Sequence, residues 1–167
     1  YLIYTPIWGA LAGLVMVAGL GLHWSQQPWG DLAFLLFGLA LWLGVLFGGY
    51  WFRAPEDAGR PWWRLYHTKF QIWMFLFAFL GNYFTEYFYE VLHMQYGFET
   101  RWNLNQVPFF LYPMTVAYFS TYGTLINVFR RVTESSLPPD TPGWLRRVAF
   151  LPACFAVAGL ETLLNAN

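Results

Sequence analysis

From Leu32 to Phe52 the chain carries no charged residue, with Asp31 just before the run and Arg53 just after it. A helix needs about 20 mostly apolar residues to cross the hydrocarbon core of a bilayer, and this run supplies them. Hydrophobic residues make up 57% of the 167 residues and charged ones 11%, against roughly 25% charged in an ordinary soluble domain. A soluble domain of this size cannot hide so much apolar surface, so lipid is the expected solvent. The expected fold is all-α, a polytopic integral membrane helical bundle forming one domain over 1–167. Its helices are predicted at about 7–22, 32–52, 70–92, 107–129 and 148–164. Strand-like alternation is missing from all five, which argues against a membrane barrel.

The connections agree with that division. Arg53, Arg60, Arg64 and Lys69 fall in the second, among the helix breakers Pro55, Gly59 and Pro61; Arg130, Arg131, Arg146 and Arg147 fall in the fourth, around Leu137-Pro138-Pro139-Asp140. Positively charged loops stay cytoplasmic, so the N-terminus is expected inside and the end of the fifth helix outside. Trp24, Trp29, Trp62, Trp63 and Trp102 sit at segment ends, where an aromatic belt belongs. The basic pairs Arg130-Arg131 and Arg146-Arg147 are read as anchors to anionic headgroups. The chain opens at Tyr1 and stops at Asn167 directly after a helix, so a piece of something longer is expected.

Nine Lys+Arg balance nine Asp+Glu at zero formal net charge, which excludes a basic nucleic-acid surface. The single cysteine, Cys154, permits neither an intrachain disulfide nor a cysteine metal cluster. His23, His67 and His93 include no pair at metal-ligand spacing, so no metal is assigned and no histidine box is present. His23 and His93 are the positions open to an axial haem or chlorophyll ligand. All three imidazoles fall near helix ends, where solvation alone accounts for them.

Polar residues inside apolar segments are costly, by insertion scales roughly 2.5–3.5 kcal/mol for a central charge, and they mark function. Asn82, Glu86 and Glu90 recur every four residues and are expected on one face of the third helix, flanked by Tyr83 and Tyr87. Glu161 and Asn165 are again one turn apart in the fifth helix, and Asn127 lies in the fourth. Two carboxyls one turn apart in low dielectric do not both ionise readily, so one keeps its proton at neutral pH. A poised acid beside a base is the requirement for proton transfer. Asn82 and Asn127 also fit ordinary interhelical hydrogen bonding. Among the aromatics from Phe75 to Tyr89, a subset offers ring faces to a flat apolar ligand or a developing cation.

Gly81-Asn82-Tyr83-Phe84, Trp102 with Asn105-Gln106-Val107-Pro108, Arg130-Arg131, Leu137-Pro138, and Leu160-Glu161-Thr162-Leu163 with Ala166-Asn167 follow one another in this chain, after Tyr4-Thr5-Pro6-Ile7-Trp8 near the start. In order and approximate spacing this set resembles the cycloeucalenol cycloisomerase family. The resemblance implies a divergent, bacterial-type membrane isomerase of sterols or similar polycyclic lipids, without a cofactor, resident in the inner membrane. The family opens a 9β,19-cyclopropane ring by protonation of the ring carbon and loss of a proton from the neighbouring position. For that chemistry Glu86, Glu90 and Glu161, found above as acids inside apolar segments, are the candidate catalytic acids and bases. Asn82, Tyr83, Phe84, Tyr87, Asn105, Tyr122 and Asn127 become the candidate substrate contacts. The chain departs from the family pattern at Glu86, Val116 and Gly123, each standing where the family has a histidine. The competing expectation is a non-catalytic subunit of a larger photosynthetic or respiratory membrane complex, holding lipid or pigment.

Overall fold

The computed structural model describes residues 7–10, 30–53, 55–85, 89–93 and 100–164, and the backbone alone from 160 onward. Among them are five α-helices: α1 (Asp31–Trp51), α2 (Tyr66–Tyr83), α3 (Leu111–Ser136), α4 (Gly143–Val148) and α5 (Leu151–Leu164). Residues 7–10 are also helical. The chain divides within α3 into two compact units, one reaching Thr121 and one beginning at Tyr122.

The uncharged run becomes α1, 21 residues long, which at 1.5 Å per residue is about 31 Å, the thickness of a hydrocarbon core. Asp31 opens its first turn, where a carboxylate complements the helix dipole. Among the described residues α1 is the one helix long and apolar enough to span a membrane. The expected span at about 7–22 lies, beyond residue 10, outside the described residues; the remaining three differ for visible reasons. α2 is 18 residues long and includes Lys69, Gln71 and Asn82; α3 runs on into Arg130, Arg131 and Glu134; α5 is 14 residues long.

The first unit packs through glycines on α1. A Cβ at Gly38 would come within 2.7 Å of the Phe110 carbonyl, at Gly44 within 2.4 Å of the Trp8 indole, and at Gly49 within 2.3 Å of the His67 ring. These notches let a backbone, an indole and an imidazole lie against the helix, as small residues do in membrane bundles. The Trp8 indole N–H donates to the Leu41 carbonyl at 3.0 Å. Leu41, Val45 and Ala117 form the core beside it, with Phe37, Trp42 and Met114 packed around them. His67 is buried, against the expectation of a solvated imidazole. It sits in the Gly49 notch with Nε2 2.8 Å from the Leu46 carbonyl, edge-on to Tyr50. Gln71 and Ser120, both buried, meet across α2 and α3, the amide donating to the hydroxyl at 3.2 Å.

Between α2 and α3 lies a small antiparallel ladder that was not expected: β1 (Asn103–Leu104) against β2 (Val107–Pro108), pairing Asn103 with Pro108 and Leu104 with Val107. Its two loop residues, Asn105 and Gln106, have φ of 50° and 65°, the left-handed backbone of primed hairpin turns. The fourth predicted helix therefore begins at Leu111 rather than 107.

In the second unit, Arg146 holds the Pro138 turn. Its guanidinium donates to the Pro138 carbonyl and to that of Thr141 at 3.3 Å. Arg147 reaches back to Gly143 at 3.3 Å, and Arg130 pairs with Glu134 at 3.6 Å in the open. The pair expected to grip headgroups thus spends side-chain donors on its own backbone.

Candidate functional site

The apolar pattern of α2 continues past Tyr83 in the sequence, yet the helix ends there. Phe84 leaves helical geometry at the C-cap, and the Thr85 hydroxyl donates to the Asn82 carbonyl. A hydroxyl satisfying a terminal carbonyl competes with another helical turn. The expected single helical face of Asn82, Glu86 and Glu90 is therefore broken after its first member. Glu86 and Tyr87 lie outside the described residues.

What replaces that face is a meeting of the α2 end with the hairpin. The Asn105 amide donates to the Tyr83 carbonyl, capping a group that the helix end leaves open. The neighbouring Gln106 amide donates to the Glu90 carboxylate at 3.3 Å. Both contacts need the left-handed loop, which turns two consecutive side chains back toward α2. Non-glycine residues held with positive φ cost of order 1 kcal/mol each and cluster at functional sites. The Tyr112 hydroxyl donates to the Leu104 carbonyl at 2.9 Å and ties the hairpin to α3. At its outer edge the Arg101 N–H is shared between the two Asp31 carboxylate oxygens at 3.1 Å each.

Behind this rim is Asn82. Its Oδ1 accepts a long bond from the Thr115 hydroxyl at 3.5 Å, while its Nδ2 is buried with no partner among the described residues. Such an orphan donor is uncommon in folded proteins and is the group that a ligand oxygen would satisfy. Rings line the approach. Phe79 stacks on Tyr83 at 6.3 Å and 10° and meets Tyr112 at 5.2 Å; Phe75 stacks below Phe79 at 5.9 Å, and Trp42 on Phe75 at 5.5 Å. Phe84 stands edge-on to Tyr83 at 5.3 Å and is exposed. The arrangement offers flat apolar faces, the Glu90 carboxylate at a polar rim and, in the Asn82 amide, an unsatisfied donor.

The first unit thus brings together Asn82, Tyr83, Phe84, Glu90 and Asn105 among the predicted residues. Tyr122 and Asn127 belong to the second unit, where the Asn127 amide donates to the Gly123 carbonyl at 2.8 Å, a contact within its own helix. Glu161 lies on α5, and its side chain is outside the described residues. Gln106, Thr115 and Tyr112 were not singled out from the sequence. The i, i+1 placement of Asn105 and Gln106 before Val107-Pro108 was the available signal, but the turn lacks the glycine that announces a tight hairpin. Among the described residues no three of His, Cys, Asp and Glu gather as a metal site.

No family model matches the chain, and no solved structure matches it. A curated relative does: the cycloeucalenol cycloisomerase of Arabidopsis thaliana is 30% identical over 172 aligned residues, covering 100% of this chain and 59% of the relative. The chain spans about three fifths of that protein's length, and over this stretch it is its distant relative.

Proposed function

We propose that the chain is a membrane-embedded isomerase of sterol-like polycyclic lipids that opens a strained cyclopropane ring by proton addition and removal. The observation that carries this reading is the similarity, over the whole of this chain and 59% of the relative, to a cycloeucalenol cycloisomerase. The geometry at the end of α2 supports it. Glu86 is the proton donor: its proton goes to the cyclopropane methylene, the bond from that carbon to the ring breaks, and a new methyl and a ring carbocation result. Tyr83, Phe84 and Tyr87 present ring faces to the cation. Glu90, its carboxylate held by Gln106, takes the proton from the adjacent ring carbon, and the double bond forms there. Charge is conserved and no co-reactant is consumed. The orphan Asn82 amide receives an oxygen of the substrate.

The membrane setting belongs to the same proposal. α1, α2 and α3 cross the bilayer, with the Arg53–Lys69 and Arg130–Arg147 connections on the cytoplasmic side. The exposed Ile72, Trp73, Leu76, Phe77 and Leu80 on α2 form an apolar surface that a soluble protein does not leave open.

The deciding experiment incubates the protein, reconstituted in nanodiscs, with a 9β,19-cyclopropyl sterol in heavy water. The expected product is a Δ8 sterol with one deuterium in its new methyl. Glu86→Gln is expected to lower turnover by about 10²–10⁴-fold, the usual weight of a general acid, while leaving sterol retention intact. Full turnover by that variant removes Glu86 from the mechanism, and the same substitution at Glu161 tests the other carboxyl expected from sequence. A wild-type protein that neither turns over nor retains sterol overturns the isomerase reading.

A further inference from the structure

A second site lies toward the other end of α1 and α2 from Asn82 and shares Trp42 and Phe75 with the ring stack described above. There the two helices enclose a cavity of about 670 Å³ lined by Trp42, Phe47, Tyr50, Arg53, Trp62 and Phe75, among others. That volume is within the range of ligand pockets, roughly 300–1,000 Å³. From Trp42 to Arg53 the cavity follows α1 for about 16 Å at 1.5 Å per residue, close to one leaflet of a ~30 Å hydrocarbon core. Its walls are almost wholly carbon, and Phe47, Ile72 and Leu76, which also line it, are exposed, so it opens sideways along the helices.

The polar groups of the lining are mostly taken, the buried indole N–H of Trp42 excepted among the described residues. The Tyr50 and Thr68 hydroxyls lie 2.9 Å apart, Thr68 also donates to the Trp62 carbonyl, and Gln71 bonds Ser120. Arg53 differs. Its guanidinium lies over the Tyr50 ring, 5.9 Å from the centroid, and among the described residues it has no carboxylate partner. Nearby Arg60 is already paired with Asp57 at 3.1 Å; Arg64 adds positive charge to the same connection and Lys69 to the first turn of α2, against Glu56. An apolar slot one leaflet deep, ending at an unpaired guanidinium beside an interfacial tryptophan, matches an acyl chain joined to an anionic phosphodiester. Arginine binds that group through several donors at once.

We propose that this cavity is a binding site for an anionic phospholipid, with one acyl chain lying between α1 and α2 and the phosphate on Arg53. The proposal rests on α1 and α2 spanning a membrane and is independent of the isomerase chemistry.

The test reconstitutes the protein in vesicles of phosphatidylcholine doped with either phosphatidylglycerol or phosphatidylcholine bearing a diazirine at the end of one acyl chain. Labelled peptides are then mapped after illumination. Saturable labelling of residues 42–53 and 62–76 by the phosphatidylglycerol probe is expected. It should exceed the phosphatidylcholine probe by about fivefold, the weight of one cation near an anionic surface. Arg53→Gln should remove that preference. Ile72→Trp, which narrows the slot and keeps the charge, should abolish labelling by both probes while leaving the protein folded by circular dichroism. Equal labelling by the two headgroups, a preference that survives Arg53→Gln, or displacement by unlabelled sterol and not by phosphatidylglycerol each overturns the proposal. Flotation of the same samples separates the two layers of inference. Protein that does not float with the vesicles overturns the membrane reading and this site with it, whereas protein that floats without selective labelling overturns the lipid site alone.

Discussion

Two glycines on neighbouring helices have opposite surroundings. At Gly38 a Cβ would stand 2.7 Å from the Phe110 carbonyl, an atom that cannot swing aside, whereas nothing lies within 4 Å of a Cβ at Gly81. Gly38→Ala is therefore expected to destabilise the protein by about 1–3 kcal/mol, as overpacking does. Gly81→Ala, in an exposed helical position, should stabilise it by about 0.5–1 kcal/mol. Thermal unfolding in detergent separates the two, and equal shifts would show that the α1 notch is not closed by the hairpin segment. The buried Gln71–Ser120 pair gives a second test at this scale. Ser120→Val strands the Gln71 amide and is expected to cost about 1–3 kcal/mol, while Ser120→Ala combined with Gln71→Leu should recover most of that loss. A double variant as unstable as the single would mean that Ser120 is held chiefly by other contacts.

At the scale of elements, the hairpin is the least regular piece of the site and the most informative to change. Gln106 holds φ near 65°, so Gln106→Gly relieves left-handed strain of roughly 1 kcal/mol. The exposed bond to Glu90 that it gives up is worth little. The variant is expected to be slightly more stable, yet to turn substrate over more slowly because the carboxylate is no longer positioned. Gln106→Val should lose both stability and activity. A glycine variant with unchanged turnover would show that Glu90 needs no positioning from the hairpin. The same elements show how far sequence can be read. The limits of α1 were legible to within one residue because Asp31 and Arg53 bracket it with charge. The end of α2 was not, because Phe84, Tyr87 and Phe88 continue the apolar pattern and the stop depends on the Thr85 hydroxyl. Asn82, Glu90 and Asn105 were found as polar residues without an apparent reason to be there, or through family likeness. The Glu90–Gln106 contact was invisible, since 16 residues separate the two and only the loop geometry joins them.

For the whole molecule, the composition and the apolar outer face of α2 lead to one expectation. The protein should stay in the pellet when native membranes are washed with alkaline carbonate and leave it only with detergent. Release by carbonate would mean that the apolar surface is covered by protein rather than by lipid.

The strap between Asp31 and the Arg101 backbone joins residues 70 positions apart. Chains emerge from the ribosome N-terminus first, at roughly 5–20 residues per second. The residues of α1 and α2 are all made before residue 101, and the Tyr83 carbonyl and the Glu90 carboxylate then wait for their hairpin donors. Only when the hairpin arrives do Asp31, Tyr83 and Glu90 acquire their partners in quick succession. A nascent chain arrested just short of Asn103 would therefore contain every residue that lines the α1–α2 cavity, yet neither Asn105 nor Gln106 to hold Tyr83 and Glu90.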